Sequence, residues 1–404
     1  MANSLSASFE TIWAREQQRV FLRKNVALKI ADTSFNSTMK SGQVLTRTYR
    51  STLSTDVPQV YVRWTDITIN DITDTAETLT VNRQFADGFY IDNMDEIQSK
   101  YDQAARYGED YAMRLTNQVD AEVLGEVLNA ANTVDAGSVG WTAGQGIALT
   151  TSNVFLTYTA ARKKLIKQNV ASTDWFAVIS PEFQEIVTQY YASKNTSLGD
   201  NASENGFFAK IMWFDNYVSN NLTCTAVLSL ATQPTNTDPI TIGGVTFTFV
   251  SVIGTTAGNV LIGANVDATR ANLATLINAP STTTSTGVAL STANAKIFAA
   301  RVSAANDNTA DTLTVTRKWT GTLTVTETLT DATDTRTATK QKQHCFFGVR
   351  GNPVLVMQKM PKVQFKEEPK KDGWNILNTV LFGVKTFRDN SYNMVNVPIR
   401  ADAF

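Results

Sequence analysis

Apolar and polar residues alternate after Gln59, and this period-two pattern is typical of strands with one buried face. The apolar positions are Val60, Val62, Trp64, Ile67, Ile69 and Ile72, followed later by Leu79 and Val81. Because Gly42 and Pro58 bracket the preceding segment and a Thr-rich segment follows at 71–83, we predict one long β-hairpin over residues 42–92. A hairpin of this length cannot satisfy its apolar face by itself, so it must lie on its own domain or on another subunit.

Residues 93–131 carry a long helical pattern. Asn93 precedes Glu96 by three residues, which is the spacing of a capping box. The apolar stripe runs through Ile97, Tyr101, Ala104, Tyr111, Leu115, Val119 and Val123. At about 1.5 Å per residue the helix would be roughly 55 to 60 Å long. Charged residues cover the opposite side and exclude both a membrane span and a buried core helix, but a long surface helix of an ordinary α+β protein remains an alternative.

Strand and helix signals then alternate up to residue 224. A helix is predicted to begin at Ser152 or Asn153 and to point Phe155, Tyr158, Leu165 and Ile166 toward a core. The apolar run 175–179 predicts a buried strand, and Pro181 ends it and begins another helix. A further strand is predicted over 210–222. This order indicates an α+β core.

Composition changes at about Thr225 and changes back near Gln341, with Thr, Ala, Asn and Val replacing aromatic and charged residues. Within this segment we predict a hairpin turning at Gly243 and Gly244, and a helix capped by Asn265 or Asp267 with Leu273 and Ile277 inward. Strands are predicted at 298–304, 312–319 and 322–329. Beyond it, strands at 354–360, 362–368 and 378–388 are expected to join one sheet with the strands near Phe176 and Met212.

Overall composition narrows the function classes. A chain of 404 residues suits two or three domains of about 150 residues each. The net charge is -1, and 18% of the residues are charged, below the usual share of about 25%. These values argue against a dedicated nucleic-acid binder. They suit a protein that buries surface against copies of itself. The sequence shows neither an apolar run of about 18 residues nor a secretory signal. Cys224 and Cys345 are too few for a disulfide framework.

No catalytic constellation emerges from the sequence. His344 is the single histidine, without a nucleophile motif elsewhere, and is interpreted as a residue at a segment boundary. One His and two distant Cys cannot fill a tetrahedral metal shell, and the Asp residues at 307, 311, 331 and 334 lack calcium-loop spacing. The Gly-rich stretches lack the Lys-Ser/Thr of a phosphate loop. We therefore expect neither an enzyme nor a cofactor.

The order of these elements resembles that of the major capsid proteins of tailed bacteriophages. The stretches that carry the resemblance are 71–112, 176–183, 211–222 and 348–365. The resemblance implies the tailed-phage major capsid protein fold, which is α+β with peripheral and axial domains, plus an inserted mainly-β domain. In that scheme residues 1–41 are an N-terminal arm, 42–92 an extended β-hairpin loop, 93–131 a spine helix, 132–224 with 345–404 a discontinuous capsid core, and 225–344 the insertion.

The same resemblance implies a structural protein of the virion capsid that is assembled in the cytoplasm of a bacterial host. Hexamers and pentamers of the chain would close an icosahedral shell around double-stranded DNA. A separate scaffolding protein and a portal are expected partners, a decoration protein is a further candidate, and no membrane is involved. The extended loop would lie across a neighbouring subunit.

Particular residues follow from this scheme. The candidate subunit contacts in the hairpin are Trp64, Ile67, Ile69 and Phe85. The candidates for weak, non-specific contact with packaged DNA are Arg15, Arg19, Arg23 and Lys24. Since Cys224 and Cys345 flank the insertion, we expect them to lie close together where the chain leaves and re-enters the core. The alternative function is a tail or surface-adhesion protein whose β-rich segment binds a receptor or carbohydrate, although Trp319 is the only tryptophan in that segment.

Overall fold

The computed structural model describes residues 26–50, 60–67, 74–93, 103–170, 173–194, 210–318, 323–327, 329, 341–367 and 372–400. Its helices are α1 (Ala27–Ile30), α2 (Gln103–Gly125), α3 (Val154–Lys167), α4 (Pro181–Ala192), α5 (Val266–Asn278), α6 (Thr292–Arg301) and α7 (Arg388–Ser391). Short 3-10 helices cover Ser34–Asn36, Glu126–Asn129 and Ala136–Val139.

The strands follow in chain order. They are β1 (Val44–Arg50), β2 (Asp74–Thr80), β3 (Arg83–Asp92), β4 (Asn132–Thr133), β5 (Trp175–Ile179), β6 (Lys210–Ile211), β7 (Phe214–Val218), β8 (Thr223–Ser229), β9 (Pro239–Ile242), β10 (Val245–Val250), β11 (Asn259–Leu261), β12 (Val302–Asp307), β13 (Thr312–Lys318), β14 (Val325–Glu327), β15 (Lys342–Val349), β16 (Val354–Glu367), β17 (Gly373–Lys385) and β18 (Met394–Arg400).

The described residues divide into two compact units. The first contains residues 32–115 and 353–387, and the second contains 26–31, 116–352 and 388–400. The division falls inside helix α2, between Leu115 and Thr116.

In the first unit, β1 and β2 form the predicted antiparallel hairpin. Its register runs from Val44 opposite Thr80 to Arg50 opposite Asp74. The strand prediction for 60–67 is wrong, because these residues form irregular backbone with one turn. Alternating apolar residues indicate a strand when one face is buried, but here Val60, Val62, Trp64 and Ile67 are all exposed. The same alternation can therefore occur in a turn.

The prediction that the hairpin continues to residue 92 is also wrong. Strand β3 pairs with β17 over its whole length, and β17 pairs with β16, so the three make a separate antiparallel sheet. Consequently β16 and β17 do not join the sheet that contains Phe176, contrary to expectation. An alternating pattern identifies a strand but does not identify its partner, and here long-range packing decides the pairing.

A small apolar core supports the base of the hairpin. It consists of Met39, Leu79, Val81, Val354, Val356 and Phe387, with Phe35, Leu45 and Leu381 packed against it. At Gly383 of β17, an added Cβ would lie 2.7 Å from the carbonyl oxygen of Thr80, so only glycine permits the close approach of the two backbones. The hairpin is therefore fixed at its base by packing.

In the second unit, a nine-stranded mixed sheet runs in the order β12-β13-β8-β15-β5-β7-β6, with β18 paired to β15 and β4 paired to β18. Strand β15 is central: β18 pairs with one edge, while β8 and β5 pair with the other edge at its two ends. A layer of buried aromatic rings joins α3 and α4 to the sheet. Tyr158 of α3 lies 5.6 Å from Phe183 of α4 and 5.3 Å from Phe347 of β15, between ring centroids.

The predicted elements of this core are confirmed, with two corrections. Strand β5 ends before Pro181 as expected, and the Ser180 side chain accepts a hydrogen bond from the backbone N–H of Phe183 to cap α4. In α3, Tyr158 and Leu165 are buried, but Phe155 and Ile166 are exposed. The single strand expected over 210–222 is instead a tight hairpin of β6 and β7, which turns at Met212 and Trp213.

The segment 225–344 contributes to two sheets. Its own sheet has the order β11-β10-β9-β14, and the Gly243–Gly244 turn and the Asn265 cap are present as predicted. Strands β12 and β13, however, pair with β8 and extend the sheet of the core without a break. The predicted boundary at residue 225 therefore falls inside β8. The strand predicted at 298–304 is wrong at its start, because α6 reaches Arg301, with the Ser291 side chain accepting at its N-terminus.

The structure describes part of the spine helix that was predicted over residues 93–131. Helix α2 covers Gln103–Gly125, a 3-10 turn follows, and β4 begins at Asn132. The start expected at Asn93 adjoins residues 94–102, which lie outside the described residues. No helix in the described part of the chain is long and apolar enough to cross a membrane.

Candidate self-association surface

The most exposed apolar residues of the first unit lie between the two hairpin strands. Their exposed fractions are 89% for Val60, 67% for Tyr61, 58% for Val62, 87% for Trp64 and 65% for Ile67. Single exposed apolar side chains are normal on protein surfaces, whereas contiguous ones mark interaction sites. Five within eight residues therefore define a candidate site, which we call the hairpin turn (residues 60–67).

Backbone hydrogen bonding gives the hairpin turn a defined shape. The backbone N–H of Thr65 donates to the carbonyl oxygen of Val62 at 3.1 Å, and the Thr65 hydroxyl donates to the same oxygen at 2.6 Å. Trp64 has a φ of +70°, in the left-handed region that costs a non-glycine residue about 1 kcal/mol or more. The chain thus holds an exposed tryptophan in a strained conformation.

A cation lies over the indole of this tryptophan. The Arg63 guanidinium is 5.3 Å from the centroid of the Trp64 ring, within the range of a cation–π contact worth about 0.5–1 kcal/mol at an exposed site. This contact restricts the ring before any partner binds. Because ordering a side chain opposes association, such preorganisation favours binding.

The strands that carry the hairpin turn are anchored at one end and exposed at the other. Near the base, the Lys385 ammonium donates to the carbonyl oxygen of Thr78 at 2.8 Å, and the Gln358 amide donates to that of Gly42. Along β1 and β2, Leu79 is buried, while Thr46, Thr48 and Ala76 are exposed. The hairpin therefore extends from its anchor with little apolar cover of its own.

The residues predicted as subunit contacts fall into different environments. Trp64 and Ile67 lie together in the hairpin turn, and Ile69 lies outside the described residues. Phe85 belongs to β3 and is half-buried, with its ring centroid 5.8 Å from that of the buried Phe382. It packs within its own sheet, so only its exposed part is free for a partner. The candidate DNA contacts Arg15, Arg19, Arg23 and Lys24 all lie outside the described residues.

His344 is a buried structural residue of the second unit. Its Nδ1 lies 2.9 Å from the Asn396 side-chain oxygen on β18, and its Nε2 lies 2.8 Å from the Thr225 hydroxyl on β8. Because the Asn396 oxygen can only accept, the neutral ring carries its proton on Nδ1. Burial lowers the pKa of His344 to about 4, which keeps the ring neutral. The histidine connects three strands across the sheet, in place of the boundary role inferred from sequence.

The two cysteines lie on neighbouring strands, as predicted. Cys224 of β8 stands opposite Gln343 of β15, two residues before Cys345; both side chains are buried and neither forms a disulfide. Burial raises the pKa of each thiol to about 12, so neither is a reactive thiolate near neutral pH. The chain therefore leaves the core sheet on β8 and re-enters it on the adjacent β15. Within the described residues, no group of three His, Cys, Asp or Glu side chains could hold a metal ion.

The chain is similar to phage proteins both in sequence pattern and in structure. A family model described as phage capsid protein matches residues 76–261, whereas comparison with curated protein sequences finds no match. The chain is similar to a solved structure from Mycobacterium phage Che8, with a TM-score of 0.53 and 11% identity, covering 92% of this chain and 90% of that one. It also aligns with the capsid structure of cyanophage P-SCSP1u at a TM-score of 0.47 and 12% identity, covering 91% and 85% of the two chains.

The family match covers the end of the hairpin, α2, the core elements β5 to β8 and the start of the segment after residue 225. The structural similarity covers nine-tenths of both chains and supports the shared fold. The resemblance inferred from sequence is therefore confirmed to this extent: the chain shares its fold with the structure from Mycobacterium phage Che8, and its residues 76–261 match the phage capsid protein family.

Proposed function

We propose that this chain is the major capsid protein of an icosahedral phage head, that it self-assembles into hexamers and pentamers, and that the shell encloses double-stranded DNA. The observation that carries the proposal is the hairpin turn, where Trp64 and Ile67 are exposed on an anchored arm. In a shell, every subunit contacts other copies of the same chain, so the partner of the hairpin turn would be a second copy of this chain.

The geometry of the hairpin favours a ring over a symmetric dimer. An arm that reaches out from one surface must rest on a different surface of its neighbour, and such a head-to-tail contact repeats until the ring closes. Hexamers and pentamers are closed rings of this kind. The arm would be one of several contacts in an interface of standard size, about 1,200 to 2,000 Å².

Trp64 is the residue expected to contribute most to this contact. Tryptophan is enriched among interface residues whose truncation costs about 2 kcal/mol or more. The ring is already oriented by its backbone conformation and by Arg63, so less freedom is lost on binding. Ile67 and Val60 would supply the surrounding apolar area, and Ile69 and Phe85 remain proposed contacts of the same interface.

The remaining parts of the proposal concern partners and location. The protein would be assembled in the bacterial cytoplasm with a separate scaffolding protein and a portal, and would end in the virion capsid, with a decoration protein as a further candidate partner. The segment 225–344 would act as an insertion attached to the core sheet through β8 and β13. The N-terminal cations Arg15, Arg19, Arg23 and Lys24 would contact the packaged DNA.

Substitution of Trp64 by Asp tests the proposal. A carboxylate at the centre of an apolar contact must lose its water on binding, so we expect shells to be replaced by free subunits or small rings. Because Trp64 is 87% exposed, the fold itself should tolerate the change. Electron microscopy and sedimentation of the purified protein measure assembly, and circular dichroism measures folding.

The matched control is Trp141→Asp, which changes a tryptophan that is 63% exposed in a different loop. Closed isometric shells from the wild type and from this control, but not from Trp64→Asp, would support the proposal. Shells of normal size and yield from Trp64→Asp would overturn the role of the hairpin turn. Tubes or discrete trimers from the wild type would favour the tail or adhesion alternative.

A further inference from the structure

Helix α3 has a charge that sets it apart from the rest of the chain. Its 14 residues include Arg162, Lys163, Lys164 and Lys167 and no Asp or Glu. The whole chain has 36 Lys and Arg in 404 residues and a net charge of -1, a share that gives one or two cations for a helix of this length. The charge of α3 is therefore a local concentration.

These four cations lie on the outward side of the helix. Lys163 and Lys167 are exposed, and Arg162 and Lys164 are partly exposed on the two flanks. The opposite side carries the buried residues Val154, Thr157, Tyr158, Ala161 and Leu165, which pack toward the core. The cations thus form one surface, which we call the α3 basic face (Arg162, Lys163, Lys164, Lys167).

No carboxylate in the described part of the chain forms an ion pair with the α3 basic face. The neighbouring α4 carries Glu185, but its carboxylate accepts a hydrogen bond from Gln189 at 3.2 Å instead. The Nε atom of Arg162 is buried and has no hydrogen-bond acceptor in the structure. Among the described residues, the four charges of the α3 basic face therefore have no carboxylate partner.

Helix stability does not account for this arrangement. Cations in the last turn interact favourably with the helix dipole, which explains Lys164 and Lys167 at about 0.3–1 kcal/mol each. It does not explain Arg162 and Lys163, which precede that turn. Lys163 and Lys167 are moreover one turn apart, a like-charge spacing that destabilises a helix by about 0.2–0.5 kcal/mol.

We infer that the α3 basic face binds the phosphate backbone of double-stranded DNA, and this inference rests on the proposed function. Lys163 and Lys167 are about 6 Å apart along the helix axis, and each strand of DNA presents a phosphate about every 3.4 Å of its axis. Lysine acts as a flexible point charge without base-reading geometry, so the contact is independent of sequence. This suits a shell that must hold any packaged sequence.

The salt dependence of DNA binding provides the test. The variant Lys163→Gln/Lys164→Gln/Lys167→Gln removes three charges and keeps side chains of similar length. Each phosphate contact contributes about 0.9 to the slope of log affinity against log salt concentration, so we expect that slope to become shallower by about 2.7. The measurement is fluorescence anisotropy of a short labelled DNA duplex of random sequence, titrated with the full-length protein at several NaCl concentrations.

The matched control is Lys40→Gln/Lys296→Gln/Lys366→Gln, which removes the same charge from three exposed lysines elsewhere. A double variant, Lys163→Gln/Lys167→Gln, alters only exposed positions and guards against misfolding. It should lose about 1.8 of the slope. Lys163→Arg/Lys164→Arg/Lys167→Arg should keep the wild-type slope, because the contact depends on charge.

Equal slopes for the α3 triple variant and the control triple variant would overturn the inference. Electron microscopy of the same samples tests shell assembly separately from DNA binding by α3. Shells from an α3 variant whose DNA slope is unchanged would contradict DNA binding by α3 and leave the proposed function intact. A change in assembly without a change in slope would assign the face to an acidic protein partner and contradict the inference as well.

Discussion

The hairpin of the first unit and the sheet around β15 in the second are both built from strands, yet they end in opposite environments. In β15, six consecutive residues from Gln343 to Gly348 are buried. Along β1 and β2, Leu79 is the one buried side chain among those described. The sheet is stabilised by its own chain, whereas the apolar residues of the hairpin turn are left exposed. Strand pairing alone therefore says little about what stabilises a strand.

The largest expected effect comes from the sheet. Phe347→Ala removes a ring that lies 5.3 Å from the centroids of both Tyr158 and Phe214. Removing a fully buried Phe leaves a cavity, so we expect a loss of about 3–5 kcal/mol in the free energy of unfolding. Urea denaturation of the unassembled protein measures it. Trp64→Ala is the corresponding variant in the hairpin, and we expect it to change the free energy of unfolding by no more than about 0.5 kcal/mol. If Trp64→Ala and Phe347→Ala lowered the free energy of unfolding equally, the contrast between the two regions would be contradicted.

A second prediction concerns acid. Burial holds the pKa of His344 at about 4, below its ordinary 6.5, so the unfolded chain binds a proton first as the pH falls. The contribution of neutral His344 to the free energy of unfolding is fully present above about pH 6.5. It falls by about 3 kcal/mol as the pH drops toward 4, at about 1.4 kcal/mol per unit of pKa difference.

Burial raises the pKa of Asp120 to about 6 from 3.8, so the folded chain binds that proton first. Acidification from pH 6 to 4 therefore adds about 3 kcal/mol through Asp120.

These opposite effects can be separated by Asp120→Asn, which removes the stabilising protonation. The Asn side chain can still accept a hydrogen bond from the N-terminus of α1, where Asp120 now accepts from Ala27 at 2.9 Å. We expect the variant to lose stability between pH 6 and 4 by about 3 kcal/mol more than the wild type does. Urea unfolding at several pH values measures the difference, and parallel curves would contradict the assignment.

The smallest change expected in the second unit comes from the turn between β6 and β7. Met212 and Trp213 both have positive φ, of +48° and +78°, in a two-residue hairpin turn that favours Asn-Gly. We expect Met212→Asn/Trp213→Gly to raise the free energy of unfolding by about 1–2 kcal/mol through relief of strain. Thermal unfolding provides the measurement. Trp213 is exposed and has a strained backbone, as Trp64 does in the hairpin turn. A loss of stability in this variant would show instead that the Trp213 side chain packs on its own sheet.

Local signals in the sequence identified many elements correctly. The Gly243–Gly244 turn, the Asn265 cap and the Pro181 start of α4 each depend on the conformational limits of one or two residues. The hairpin strands β1 and β2 were also predictable from alternation and turn residues. The end of α6, from Phe298 to Arg301, is predicted as a strand from sequence, since its few apolar positions fit both periods.

The candidate site was predictable in part. Trp64 and Ile67 stood out because a long apolar hairpin had no visible partner, and both are exposed in the structure. Phe85 was grouped with them by sequence proximity, but its strand pairs with β17, nearly 300 residues later in the chain. The four cations of the α3 basic face are visible in the sequence, but the sequence does not show which carboxylates surround them. The lack of ion pairs on this face became evident only when the surrounding carboxylates had positions.

The sequence by itself determined the order of the elements, the caps and the tight turns, because each depends on neighbours along the chain. Only the tertiary structure decided which strands pair, since hydrogen bonding between strands carries little sequence information. It placed β3 with β17, joined the segment after residue 225 to the core through β8, and buried His344 among three strands. It also showed that Trp64, in the turn formed by residues 60–67, has a strained backbone and an exposed side chain, because exposure depends on what the rest of the chain packs against.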